Sequence, residues 1–395
     1  MSWPSVELAA VADINPRMPR GLANDQGVSF LPMAAVSEDG QIDYQEQRTV
    51  EDVRKGYTYF RRGDVLVAKI TPCFENGKAT KTEALNEEHG FGSTEFHVIR
   101  VNPDEMLPEY AFHLIWNPYF RKEATANMTG SAGQKRVPAD FLKRLNIPLP
   151  PLEEQRRIAG ILDAADALRR RRREALALLD TLPGAIFAEM FGGTRGCAED
   201  GDASNVTLAS VAEINPRMPR GLPEDMEVAF LPMAAVSVDG LISYQERRTV
   251  SQVRKGYTYF QRGDLLLAKI TPCFENGKAA KTDMLETEYG FGTTEFHVVR
   301  TNSDELLSDY AFHLIWNPTF RKDGAANMTG SAGQKRLPVD YLKRMRIPVP
   351  SLEEQQTFVD RVLQIQNQRD VYSRQIMELD NLFSSLQSRA FAGAL

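Results

Sequence analysis

Adding 200 to a residue number in the first half of this 395-residue chain returns nearly the same residue in the second half. Ile14–Leu22 (INPRMPRGL) recurs at Ile214–Leu222, and Phe30–Ser37 (FLPMAAVS) at Phe230–Ser237. Ala68–Ala79 (AKITPCFENGKA) recurs at Ala268–Ala279, and Ala126–Arg136 (ANMTGSAGQKR) at Ala326–Arg336, all without a gap. Such a period is far longer than the roughly 20–50 residues of a stacking repeat. The chain therefore carries one domain twice, and each copy must bury a core of its own. The length agrees, since a single core stops growing well short of it.

Within a copy the pattern is mixed. Gly63–Ile70 (GDVLVAKI) reads as a strand opened by a Gly-Asp turn, and Thr94–Val101 (TEFHVIRV) alternates as another, with Phe30–Val36 as a third. Pro108–Asn127 has helical spacing, with Tyr110, Leu114 and Ile115 on one face and an Asn-Pro step bending its end. The expected fold class is α+β, with a twisted sheet in each domain and the domains at residues 1–151 and 207–350.

Behind each domain the pattern changes. "IPLPPLEEQ" from Ile147 and "IPVPSLEEQ" from Ile347 each stop on prolines and open a long helix, residues 152–192 and 351–395. Ser351 and Glu354 have the spacing of a capping box, and Glu153 and Glu154 place negative charge at the positive end of the first helix. Phe358, Val362, Ile365, Arg369, Tyr372, Ile376, Leu379, Phe383, Leu386 and Ala390 alternate in steps of four and three, the rhythm of a coiled coil. Ile161, Ala165, Leu168, Arg172, Ala175, Leu179, Leu182 and Ile186 do the same in the first helix, with Ile158, Leu162 and Leu176 on a flanking stripe. Each helix is about 60 Å long at 1.5 Å per residue. The linker at 193–206 spans at most about 50 Å. The second helix is thus expected to return antiparallel along the first, with the domains at opposite ends and an approximate two-fold axis between the copies.

Bulk composition argues mildly against nucleic acid: the net charge is −6 and the pI about 5.6. Contact with DNA must therefore rest on local groups. Two loops offer them. Lys69, Thr71, Asn76 and Lys78 lie at and after a strand end, and Gln134, Lys135 and Arg136 lie in a Gly-containing loop. Their counterparts are Lys269, Thr271, Asn276, Lys278, Gln334, Lys335 and Arg336. Asn and Gln match adenine edges, Arg and Lys match guanine, and Thr and Lys anchor phosphates. Arg169–Arg173 (RRRRR) sits mid-helix, where five consecutive residues cover every face. It reads as a solvated basic face, or as a contact to phosphate or to an acidic patch on a partner. A protein–protein bracket without DNA contact is the competing class.

Signals for catalysis are few. Asn117–Phe120 (NPYF) lacks the second proline of an adenine-methyltransferase motif and becomes NPTF in the second copy. Asp64 with "ENGK" has the wrong spacing for a nuclease and reads as a turn residue. There is no phosphate-binding G-x-x-x-x-G-K-[ST] loop, and His89, His97 and His113 read as packed or surface histidines. Three cysteines, two of them the same position in the two copies, suit a reducing cytoplasm. No stretch is apolar enough for a membrane helix.

The "IPLPPLEEQRRIAGIL" junction, the "GSAGQKR" loop, the "GDVLVAKITPCFENGK" strand and loop, and the tandem layout together resemble the specificity (S) subunit of type I restriction–modification systems, over essentially the whole chain. The resemblance implies two target recognition domains and two spacer helices that form an antiparallel coiled coil. It implies double-stranded DNA as ligand, two methyltransferase (M) subunits docked on the chain, and restriction (R) subunits held through them. It also implies no cofactor on this chain, with S-adenosylmethionine in the M subunit and ATP with magnesium in the R subunit. Family members commonly carry two unlike recognition domains. Here they are nearly identical, so the expected target is a split palindrome or close to one.

Overall fold

The computed structural model describes residues 3–131, 133–191, 205–331 and 333–395. Of the expected linker, residues 193–204, Cys197 among them, lie outside the described residues. Asn205–Thr207 already form a strand.

Each copy holds two four-stranded sheets and a two-stranded ribbon, where the sequence pattern pointed to one sheet. In the first copy the strands are β1 (Ser5–Glu7), β2 (Ala12–Ile14), β3 (Gly27–Leu31), β4 (Glu46–Thr49), β5 (Thr58–Arg61), β6 (Val65–Ala68), β7 (Ala79–Lys81), β8 (His89–Gly92), β9 (Phe96–Val101) and β10 (Asn146–Pro148). One sheet has the order β2-β9-β6-β7 and the other β4-β3-β8-β5, and β1 pairs with β10. All pairs are antiparallel except β3 with β8. The second copy repeats this order 200 residues on.

The period-two pattern of the strands explains the layers. Leu66 and Val98 face the core between the two sheets with Leu31, Phe60 and Phe96. Val65, Val67, Ile99 and Val101 face the helical side. Val28, Phe30 and Phe91 cover the outer face of the second sheet under α2 (Val50–Val53), where Met18 and Leu22 also pack. The sheet closes over Phe60 because β8 carries Gly90: a Cβ there would lie 2.2 Å from the Phe60 ring. The expected helix Pro108–Asn127 is two helices, Pro108–Trp116 and Pro118–Ala126, because Asn117 leaves the helical region and caps the second through its side-chain oxygen, 2.7 Å from Tyr119 N–H.

The proline-rich junction is held by one buried amide. Gln155, 0% exposed, donates to the carbonyls of Glu105 and Pro150, each at 2.8 Å, and accepts from Leu107 N–H at 2.9 Å. Gln355 repeats all three bonds. Extended backbone that ends in prolines has few ladder partners, and the glutamine directly after "EE" supplies them. The helices that follow run Leu152–Phe191 and Leu352–Phe391. The capping box at the second is formed: Ser351 N–H meets Glu354 at 3.0 Å, and Glu354 N–H meets the Ser351 hydroxyl at 3.3 Å.

By packing, the chain divides into two units. Unit 1 comprises residues 1–174 with 373–395, and unit 2 comprises residues 175–372. Each contains one α+β domain and an antiparallel pair of helix segments. In unit 1, Arg169 and Arg173 reach Asp380 at 2.7 and 2.8 Å, Arg157 reaches the Leu395 carbonyl at 2.9 Å, and Phe391 packs on Tyr110 with ring centroids 5.6 Å apart. In unit 2, Arg369 reaches Asp180 at 2.7 Å, and Phe191 packs on Tyr310 at 5.5 Å. The Arg169–Asp380 and Tyr110–Phe391 pairs thus recur as Arg369–Asp180 and Tyr310–Phe191, with the roles of the two helices exchanged.

The seam is not uniform. Phe358, Val362 and Ile365 are buried, and Ile161, Leu179, Tyr372, Ile376 and Leu379 are half-buried, but Leu168 is 53% and Leu182 38% exposed. The first helix buries the flanking Ile158 and Leu162 instead. The arginine run differs from the expected outward display. Arg169, 12% exposed, lies between Asp166 and Asp380 with its guanidinium 4.3 Å from the Phe383 ring centre. Arg170 also pairs with Asp166, at 3.0 Å. Much of this charge is spent within unit 1.

The units diverge beneath the helices. In unit 1, His113 meets Asp163 at 2.9 Å. In unit 2, position 363 is Leu, so His313 lacks the counterpart of Asp163 and is packed against Phe358. Burial pushes the His313 imidazole from 6.5 down to about 4. The neutral ring is the form the fold holds, so the unfolded chain binds more protons between these values. The associated stability is complete above about 6.5 and is lost as the pH falls toward 4, on the order of 3 kcal/mol. Urea titrations of His313→Phe across that window should show a shallower pH dependence than the parent chain. Identical slopes would rule out this source.

Candidate nucleic-acid interface

Three surface segments of the first copy meet at His97, on the helical side of β9. Val137 N–H donates to the Lys69 carbonyl at 2.9 Å, and Thr71 N–H to the Lys135 carbonyl at 3.0 Å, so the chain beyond Thr129 pairs along the end of β6. Thr129 and Arg136 exchange both backbone bonds, at 2.9 and 2.8 Å, which makes residues 129–136 a hairpin. Its tip turns at Gly130 (φ 124°) and Gly133 (φ 82°), and a Cβ on Gly130 would lie 2.8 Å from the Gln134 carbonyl. Only glycine fits there. The two loops singled out in the sequence are therefore brought side by side.

His97 binds this assembly to a third loop. Its Nε2–H donates to the Val137 carbonyl at 2.7 Å, so Nδ1 accepts from the Asn15 amide at 3.1 Å. Asn15, at φ 56°, also accepts from Val98 N–H at 2.9 Å. Burial lowers the His97 pKa, which keeps the ring neutral and its acceptor available. Asn215, His297 and Leu337 repeat the chain of bonds at 3.1 and 2.8 Å. Neither the Asn15–His97 link nor its partner was visible in the sequence, since 82 residues separate them.

Within this frame the candidate readers differ. Gln134 and Lys135 are exposed at the hairpin tip, as are Gln334 and Lys335, and their side chains have no bonding partner among the described residues. Arg136 is held by Glu95 through bonds of 2.8 and 2.9 Å, and Arg336 by Glu295 at the same distances. These bonds hold both carboxylates below their usual range. Lys78 and Lys278 point inward, donating to the Met33 and Met233 carbonyls at 3.2 and 3.1 Å. Thr71 and Thr271 donate to Glu75 and Glu275 at 2.8 and 2.9 Å. Asn76 donates to Glu38 at 2.8 Å, whereas Val238 leaves Asn276 without that carboxylate. Lys69 and Lys269 are half-buried beside Glu95 and Glu295, and burial lowers the Lys269 pKa.

Asp64 is not an acid of a catalytic site. It is 1% exposed, and its two oxygens take the Arg100 guanidinium at 2.8 and 2.7 Å and Arg61 N–H at 2.8 Å, an internal tie repeated by Asp264 and Arg300. Among the described residues no cluster of three or more His, Cys, Asp or Glu could hold a metal ion, and no helix is long and apolar enough to cross a membrane.

Paired α+β domains with exposed polar hairpins, each carried on an antiparallel helix pair, define a tandem recognition protein. Residues 2–177 and 202–380 each match the family described as the type I restriction modification DNA specificity domain, and the chain belongs to that family. It is 41% identical over 171 residues to the EcoAI specificity subunit of Escherichia coli, covering 43% of this chain and 29% of the relative, and 43% identical over 160 residues to the EcoEI specificity subunit of the same species, covering 40% and 27%. These alignments thus span less than a third of either relative's length. A chain from a structural study of complex assembly and conformational transition in the type I R-M system superposes over 100% of this chain and 98% of its own, with TM-score 0.60 and 21% identity. That likeness shows the shared fold. The named relatives are specificity subunits.

Proposed function

We propose that this chain reads DNA for a type I restriction–modification complex. Each copy binds double-stranded DNA through the hairpin at 129–136 (329–336) and the strand-end loop beside it. The target is bipartite, with two half-sites of one sequence in opposite senses, as the expected antiparallel return of the second helix implies. The helices dock two M subunits, which hold the R subunits. S-adenosylmethionine, ATP and magnesium belong to those partners, and the complex works in the cytoplasm.

One contrast carries the half-site reading. Positions of the two copies, exposed and buried, have drifted where they edge the β4-β3-β8-β5 sheet. Gln47 bonds Glu87 at 3.5 Å, but Arg247 bonds Glu286 at 3.0 Å. Ser29 accepts from Glu87 N–H at 3.1 Å, but Thr287 accepts from Ala229 N–H at 2.8 Å, the donor and acceptor sides exchanged. Across the hairpin and strand-end loop, Lys69–Ala79 and Ala126–Arg136, no residue differs, exposed or not. This drift stops at the loops that carry the candidate readers, which supports one shared base sequence for both.

Sequencing-based mapping of methylated adenines in cells carrying the complete system tests this. The expected motif is two short mirrored blocks around an unread gap. A continuous word, or two unrelated blocks, would overturn it.

A further inference from the structure

The loop that leaves Asn15 has no place in the base-reading argument, yet it begins at the same histidine as the hairpin. It runs Pro16-Arg17-Met18-Pro19-Arg20, and Met18 packs into the core under α2 while Arg17 and Arg20 stay exposed. The arginines that build the fold are neutralised: Arg48 by Glu46 at 2.6 Å, Arg100 by Asp64 at 2.7 Å and Arg136 by Glu95 at 2.8 Å. Arg17 and Arg20 have no acidic or hydrogen-bonding partner among the described residues, and the same is true of Arg217 and Arg220. Two prolines fix φ on either side of Arg17, so little chain entropy remains to be given up when the loop is engaged. The segment is unchanged between the copies from Ile14 to Leu22, and the residues directly after it diverge at Ala23, Asn24, Gln26, Gly27 and Ser29.

An exposed, unpaired, stiffly presented guanidinium pair in a chain of net charge −6 is suited to a fixed anionic partner. We propose that Arg17 and Arg20, with Arg217 and Arg220, grip DNA phosphates beside the base-reading hairpin. This rests on the DNA reading above and adds to it a backbone anchor on a third loop. Asn15 and His97 are the positioning residues: their bond to each other and to the Val137 carbonyl sets the arginine loop in register with the hairpin. Phosphate anchors fix orientation while hairpin residues discriminate, the usual division of labour at such interfaces.

The test is the salt dependence of binding by the full chain to a mixed-sequence DNA duplex, for the parent and for R17Q/R20Q/R217Q/R220Q. Removing one phosphate anchor flattens the plot of log affinity against log salt by about 0.9, so removing all four flattens it by about 3.6. The corresponding all-lysine variant keeps the charge and should retain most of the parent's slope, which separates a missing anchor from a failure to fold. An unchanged slope in the glutamine variant, with the parent still binding, overturns this proposal alone. A parent chain that shows no salt-dependent binding overturns the DNA reading with it.

Discussion

Alanine at Gln134 and Gln334 together is expected to cost discrimination and little else. Each glutamine stands at a hairpin tip with an unengaged amide. A side-chain amide meets the adenine edge with one donor and one acceptor, and losing such a pair is worth about 1–3 kcal/mol, or roughly 5- to 150-fold per half-site. The hairpin itself should survive, because Gln134 contributes to it through its backbone: its N–H donates to the Ser131 carbonyl at 3.0 Å, and its carbonyl accepts from Arg136 at 3.1 Å. Competition between the mapped target and a scrambled duplex reads the effect. Specific affinity should fall while affinity for the scrambled duplex and its salt slope stay near those of the parent. Equal loss on both duplexes would show that the glutamine reads no base.

Replacing Gln155 by leucine should destabilise unit 1 by about 3–5 kcal/mol, although the two side chains are close in size. The residue is fully buried and serves three backbone groups: Leu107 N–H and the carbonyls of Glu105 and Pro150. Leucine fills the space and answers none of them. The cost is the desolvation of groups left without partners, which exceeds the net worth of the bonds themselves. The exposed neighbour Arg156 is the control, since Arg156→Leu should stay within about 0.5 kcal/mol. Chemical unfolding followed by a probe in unit 1 measures both. Equal stability of Gln155→Leu and parent would mean that the junction is held by packing alone.

What the sequence reveals and conceals follows from the range of each interaction. The two long helices, the capping box at Ser351 and the β6 and β9 strands all write themselves in neighbouring residues, and the duplication shows as whole words repeated 200 residues on. The split into two sheets does not, because it depends on β3 lying parallel to β8 from about 60 residues away, with Phe30 opposite Phe91. The fate of the candidate readers is long-range as well. Arg136 and Lys78 look available in the chain, and only folding brings Glu95 and the Met33 carbonyl to them. At Leu168 the heptad count continues while the buried face has moved to Ile158 and Leu162, a drift that an even spacing of apolar residues does not disclose.

The make-up of the two units bears on how the molecule is born. Unit 2 is one unbroken run of chain, but unit 1 joins residues 1–174 to residues 373–395. Phe383 and Ala390 sit in the same core as Ile158 and Leu162. A ribosome therefore finishes the later-made unit first, and the earlier-made domain must wait, its apolar helix face bare, for the closing segment to emerge. Order of synthesis and order of completion are opposed. That nascent stretch is where a holding chaperone has the most to protect.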